Sequence, residues 1–270
     1  MARSLNLLTL VGTLVQDPET IALGDDNSVT RFTISGTEHV IGDDGKEHHP
    51  GWYHQVSVFG RYGTWLAERL MAGSVVFVRG RLNYRTWETA EKERRHALGV
   101  IGEHVELLEY GPRGEEPISK DSKDQPRLKL ARNEVLVSGN LTRDAERTTT
   151  AGGRSRTSFT LAFNHDYRRR DGTQVTQPNY VTVICWNELA QAAAVLKKGA
   201  RVIALGRLTN DSWTDSATNT TRYDTRITAD TLEFGLNAVS TSVPEGLTEG
   251  APPAEDAPEN LPGDDEPLSL

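Results

Sequence analysis

The sequence predicts a mainly β protein: two tandem copies of one small five-stranded barrel, each with a single helix between its third and fourth strands, then a disordered acidic C-terminal tail. Three observations carry this. NLLTLVGTLVQDPE (Asn6 to Glu19) lies over NEVLVSGNLTRDAE (Asn133 to Glu146), and further anchors recur in step, such as Ser28, Thr30 and Phe32 over Ser155, Thr157 and Phe159. Strand-length runs of alternating apolar and polar residues fill both copies, with one helix-period stretch in each. From Asn237 onward the chain holds six of the twelve prolines, no aromatic residue and only acidic charge, a composition that cannot build a core.

The elements follow in order. LNLLTLVGTLV is broken by Asn6, Thr9, Gly12 and Thr13, is too short to span a membrane, and precedes no small-residue cleavage site. It reads as a first strand over Leu5–Val15. Val29–Glu38 and Trp52–Phe59 are the next two strands, the helix is RYGTWLAERLM with Gly73 as its stop, and Ser74–Trp87 and Ala97–Leu108 complete the copy. The second copy repeats this at Glu134–Thr142, Thr157–Asn164, Tyr180–Trp186, the helix NELAQAAAVLKK with Gly199, Arg201–Trp213 and Thr221–Phe234. Three strands, a helix and two strands, with glycines inside long strands that must bend, is the order of an OB barrel, although other small barrels share the pattern. The expected domains are residues 1–111 and 132–236, joined by a Pro-, Gly- and charge-rich linker over 112–131 and followed by the tail over 237–270.

The net charge of −8 looks unsuited to nucleic acid until it is placed along the chain. The tail from Asn237 carries eight acids and no Lys or Arg, which leaves 30 acids against 30 bases in the body. A neutral body requires local basic patches and a non-electrostatic attraction for any nucleic-acid binding. The single cysteine, Cys185, excludes an intramolecular disulfide and sits in a strand-like run, as a packed thiol does. No HExxH, phosphate loop, G-x-S-x-G or carboxylate–histidine constellation recurs in both copies, so neither an enzyme nor a metal or other cofactor is expected. With no signal or span, the expected location is cytoplasmic.

In WYHQVSVFG, period two puts Trp52, His54, Val56 and Val58 on the core side, and Tyr53, Gln55, Ser57 and Phe59 on the wetter side. In the second copy Tyr180 and Trp186 fall at the two aromatic positions. The fourth strand alternates Arg79, Arg81, Asn83, Arg85 and Trp87 with apolar residues and Tyr84, and its counterpart groups Arg207, Thr209, Asp211 and Trp213. Rings at intervals with guanidiniums beside them suit stacked bases and a phosphate backbone. Trp65 on the helix reads as core, and Trp52 and Tyr84 carry no functional reading.

These motifs resemble the bacterial single-stranded DNA-binding protein (SSB) family, whose opening follows NxVxLxGxLxxDPE, whose third strand ends in W/Y-H-x-V-x-x-F/W-G, and whose fourth ends in G-R/Q-L-x-x-x-x-W. The matches are NLLTLVGTLVQDPE, WYHQVSVFG and GRLNYRTW, then NEVLVSGNLTRDAE, YVTVICWN and GRLTNDSW. Two such domains in one chain resemble the Deinococcus–Thermus type, which implies a homodimer presenting four OB folds. The resemblance implies sequence-independent binding and protection of single-stranded DNA in replication, recombination and repair. It carries stacking positions onto Tyr53, Phe59 and Trp87, and onto Tyr167, Tyr180, Trp186 and Trp213, while the fourth position of the first copy falls on Val40. The second copy should therefore stack better. Its DYRRRDG loop adds Arg168, Arg169 and Arg170 for phosphate contact. Family tails recruit replication and repair proteins through an acidic end closed by Asp-x-Pro-Phe. Here Asp264, Asp265, Glu266, Pro267 and Leu268 stand in that place, without the Phe.

Overall fold

The alternating runs close on themselves twice. The computed structural model describes residues 4–24, 27–42, 45–88, 92, 94–108, 117–168, 172–214 and 221–234. The first copy runs β1 (Asn6–Leu14), β2 (Glu19–Gly24), β3 (Asn27–Thr37), β4 (Val40–Ile41), β5 (Glu47–His48), β6 (Gly51–Phe59), α1 (Gly60–Ala67), β7 (Val75–Glu88) and β8 (Arg94–Leu107). After β9 (Ile118–Lys120) and β10 (Pro126–Leu128), the second copy runs β11 (Arg132–Leu141), β12 (Glu146–Thr149), β13 (Ser155–Arg168), β14 (Gln174–Trp186), α2 (Asn187–Ala193), β15 (Arg201–Thr214) and β16 (Thr221–Phe234).

In the first copy β1 pairs antiparallel with β3 and β7, β3 pairs with β6, β6 runs parallel to β8, and β7 neighbours β8. In the second, β11 pairs with β13 and β15, β13 with β14, β14 runs parallel to β16, and β16 pairs with β15. Each circuit is closed among the described residues, and this is the OB order. The inward residues supply the cores: Leu8, Leu10, Phe32, Ile34, Val56 and Val78 in one, Val137, Phe159, Leu161, Val183, Val202 and Leu208 in the other. The helices follow their third strands directly, through a left-handed residue in each copy, Gly60 (φ 70°) and Asn187 (φ 52°). Asparagine is among the few side chains that tolerate this conformation, so the turn survives the change of residue. The Thr157 hydroxyl donates to the Ala190 carbonyl at 2.7 Å and ties α2 to β13.

The chain packs as two compact units. One holds the start of the chain through Asn6, Asn83–Leu98, and the described residues from Val135 on; the other holds Leu7–Leu82 and Gly99–Glu134. The outer part of the β7–β8 hairpin is thus grouped with the second barrel.

Several features depart from the sequence reading. β2 and β12 line the starts of β3 and β13, but their residues are almost all exposed, so no apolar alternation marks them. The helices stop at Ala67 and Ala193, and the rest of each helical pattern forms turns that end at Gly73 (φ 84°) and Gly199 (φ 85°). Residues 117–131, read as linker, include the β9–β10 hairpin, which adds to β3 through Leu128 opposite Gly36. Trp65, read as core, is 48 % exposed, stacks on Tyr62 and has the Arg69 guanidinium over its ring. An eight-residue helix buries only a narrow stripe, here Gly63 and Leu66, which leaves no inward place for Trp65. No helix among the described residues is long and apolar enough to cross a membrane.

Candidate nucleic-acid interface

Trp186 ends β14 at the exit to α2, and its Cα partner on β13 is Arg156. Directly paired residues share a face, and so do residues two apart, so Arg154 and Arg156 stand beside the indole. The Arg154 guanidinium lies 4.7 Å from the ring centroid. Burial, with Arg226 nearby, pulls the Arg156 guanidinium below its usual range. Arg226 is held by Asp224 and by Asp211 at 3.1 Å, and burial raises the Asp224 carboxyl against that pull. The half-buried indole thus sits in a cationic setting, as a base stack with its phosphate requires. Sequence reasoning missed Arg154 and Arg156, because their proximity to Trp186 depends on strand register rather than on spacing.

Farther along β13, Tyr167 is 39 % exposed and stacks with His165 at 5.7 Å, two residues away on the same face. Arg168 is exposed beside it, while Arg169 and Arg170 lie outside the described residues, as do Asp264, Asp265, Glu266, Pro267 and Leu268. Trp213 lies in β15 opposite Arg222. In β7, Arg79 and Arg85 are exposed and Trp87 is half-buried, and the alternation expected from the sequence holds, with Val78, Gly80, Leu82 and Tyr84 inward. Arg81 and Arg207, which match in the two copies, are each held by an acid of the next strand, Glu103 at 3.1 Å and Asp230 at 3.6 Å. Phe59 is 48 % exposed at the end of β6.

One of the expected stacking rings is buried, and a second is half-buried and partly capped. Tyr180 is 3 % exposed, with Tyr84 edge-on at 5.1 Å. The Tyr84 amide donates to Asn179 Oδ1 at 2.7 Å, and Gln177 Nε2 donates to Asn83 Oδ1 at 3.1 Å, so Asn83 and Tyr84 of β7 close over this ring. Tyr53, its counterpart, is capped by the β9–β10 hairpin: its hydroxyl donates to Asp121 at 2.5 Å, and the Arg127 guanidinium donates to the hydroxyl at 2.9 Å and lies 5.2 Å from the ring. Burial first, then Asp121, pushes the Tyr53 hydroxyl up, and the same hydroxyl is the main cause holding the Asp121 carboxyl below its usual range. That stabilisation is present above the ordinary carboxylate range and fades as pH falls through the lowered value. Asp121→Asn should lower the urea midpoint by the equivalent of about 1–2 kcal/mol at neutral pH, and by much less once acid has protonated Asp121 in the parent chain.

Burial pushes the Cys185 thiol up to about 12, which removes it as a nucleophile. The candidate site thus brings together exposed or half-buried rings, with a guanidinium beside Trp186, on the two closed barrels.

The family model for the single-strand binding protein family matches residues 5–108 and 132–235. The single-stranded DNA-binding protein of Deinococcus radiodurans is 38 % identical over 234 residues, covering 86 % of this chain and 76 % of that one. That of Thermus thermophilus is 39 % identical over 233 residues, covering 86 % of this chain and 85 % of the relative. The crystal structure of the wild-type single-stranded DNA binding protein from Thermus aquaticus superposes with a TM-score of 0.68 at 28 % identity, covering 90 % of this chain and 98 % of that one. The matched segments are the two closed barrels, and the chain belongs to the single-strand binding protein family.

Proposed function

We propose that this chain binds and protects single-stranded DNA with little sequence preference during replication, recombination and repair, in the cytoplasm with the nucleoid, acting by contact rather than by catalysis. The observation that carries this reading is Trp186 with the Arg154 guanidinium over its ring and Arg156 as its cross-strand neighbour. Every base has a π-face, so each ring accepts any base, at about 1–3 kcal/mol per stack. Duplex bases are already stacked and gain nothing from these rings. The stacking set is Phe59, Trp87, Tyr167, Trp186 and Trp213, with Tyr53 and Tyr180 acting as anchors of the covering hairpins. Arg79, Arg85, Arg154, Arg156 and Arg168 meet phosphate, joined by Arg81 and Arg207 when they exchange their acids for it. Two barrels per chain support a homodimer with four, and the acidic end supports recruitment of replication and repair proteins. Removing residues 264–270 should abolish that capture in a pull-down.

The test is a titration with oligo-dT, followed by intrinsic tryptophan fluorescence at low and high salt. Stacking predicts deep quenching that survives high salt. The salt slope should be shallow, because each single-stranded phosphate contact contributes only about −0.7 to it and several arginines already hold acids. Duplex of the same length should compete poorly. Absent quenching, or equal affinity for duplex, overturns the reading.

A further inference from the structure

We infer that the first copy carries a transition-metal site, formed by His39, Glu47 and His49 and suited to Zn(II), on the arm that joins β3 to β6. Neither the DNA-binding reading nor the family motifs involve these residues.

The site follows from strand register. β4 and β5 pair Val40 with His48 and Ile41 with Glu47, so one further step places His39 opposite His49. The ladder is closed at both ends by backbone bonds, Glu38 N–H to the Pro50 carbonyl and Gly42 N–H to the Lys46 carbonyl. In an antiparallel pair His39, Glu47 and His49 then project from one face and His48 from the other. No linear motif announces this, since residues eight and ten apart meet only after the arm folds.

The side chains bear it out. One donor atom from each residue lies within 4.8 Å of the others, and all three residues are exposed. His39 Nδ1 is 2.8 Å from Glu47 Oε1, and the His49 ring meets the His39 ring edge-on with centroids 4.5 Å apart. A surface ion pair needs only the first two groups; the third ligand is what marks a metal site. The other nitrogen of His39 is engaged as well: Nε2–H donates to the Lys129 carbonyl at 3.2 Å. An imidazole whose far N–H is fixed by a backbone carbonyl has its tautomer and ring direction set, as metal-bound histidines do. Nδ1 is thereby aimed at Glu47. A bound ion takes the place of the proton between Nδ1 and the carboxylate, and that proton leaves to solvent.

Two imidazoles and one carboxylate suit Zn(II), whereas Mg²⁺ and Ca²⁺ prefer all-oxygen shells. Zinc bonds of about 2.0–2.2 Å in a tetrahedron put donors about 3.3 Å apart, which these exposed side chains reach by rotation alone. Water takes the fourth position. Because Lys129 directly follows β10, the metal would also tie the arm to the hairpin that caps Tyr53.

Equilibrium dialysis of the full-length chain against zinc tests this, with His39→Ala, His49→Ala, Glu47→Gln and His48→Ala alongside and circular dichroism to verify folding. One zinc per chain is expected, weakened about ten-fold or more in the first three variants and unchanged in His48→Ala, which alters the opposite face. Co(II) in place of zinc should give the visible absorption of a tetrahedral site, lost in His39→Ala. No uptake by the parent chain, or uptake that His39→Ala and His49→Ala leave unchanged, overturns the assignment.

Discussion

Trp186→Ala should weaken oligo-dT binding about five- to 150-fold at fixed salt, the equivalent of the about 1–3 kcal/mol of one lost base stack. The ring is half-buried, fixed at the end of a strand that is paired over its whole length, and flanked by Arg154 at 4.7 Å. Little ordering entropy remains to be lost on binding, so most of the stacking energy should reach the affinity. Trp186→Phe should restore much of the loss, since a smaller π-face still stacks. Tyr180→Leu, which removes the π-face but keeps apolar volume, should stay within about two-fold of the parent, because a ring already 3 % exposed beneath Tyr84 has no face to offer a base. Fluorescence anisotropy with labelled oligo-dT measures all three, with circular dichroism to verify folding. An unchanged affinity in Trp186→Ala, or a loss in Tyr180→Leu equal to it, would return the stacking role to the covered ring.

The contrast between these two rings shows where the sequence was legible. Period-two alternation and the repeat of one copy on the other predicted the ten barrel strands and their order, because each buries one face and the register is fixed by that burial. It also put Phe59 and Trp186 on the outer side of their strands, where Phe59 stands 48 % exposed. What it could not predict was which outer rings stay available. Tyr53 and Tyr180 have the same local pattern as their neighbours, and segments distant along the chain engage them, Asp121 and Arg127 capping half-buried Tyr53, Tyr84 and Asn83 burying Tyr180. The β9–β10 hairpin was hidden for a related reason: its strands are three residues each, and one carries a proline, so composition outweighed pattern. Features that depend on register between strands, such as the arginines around Trp186, have no signature in spacing at all.

A large effect on folding is expected at two glycines as well as in the core side chains. Gly80 and Gly206 occupy the same position in β7 and β15, the long strands that must bend to close each barrel. A Cβ at Gly80 would lie 2.0 Å from the Ile101 carbonyl oxygen, and at Gly206 2.1 Å from that of Thr228, where the β15–β16 register shifts between Leu205 and Gly206. Both obstacles are backbone atoms, so no rotamer change relieves them; the strands must separate and give up ladder bonds on each side. Gly80→Ala and Gly206→Ala should each cost about 3 kcal/mol or more, the upper range for overpacking, and lower the melting temperature of the affected barrel by about 10–20 °C. Calorimetry of the two variants should show this as separate losses, one for each barrel. Gly152, where an added Cβ meets nothing within 4 Å and the backbone is not left-handed, is the control: Gly152→Ala should leave the melting profile unchanged. A small effect at Gly80 and Gly206 alike would mean that the barrels can open by about 1 Å at this bend without losing closure.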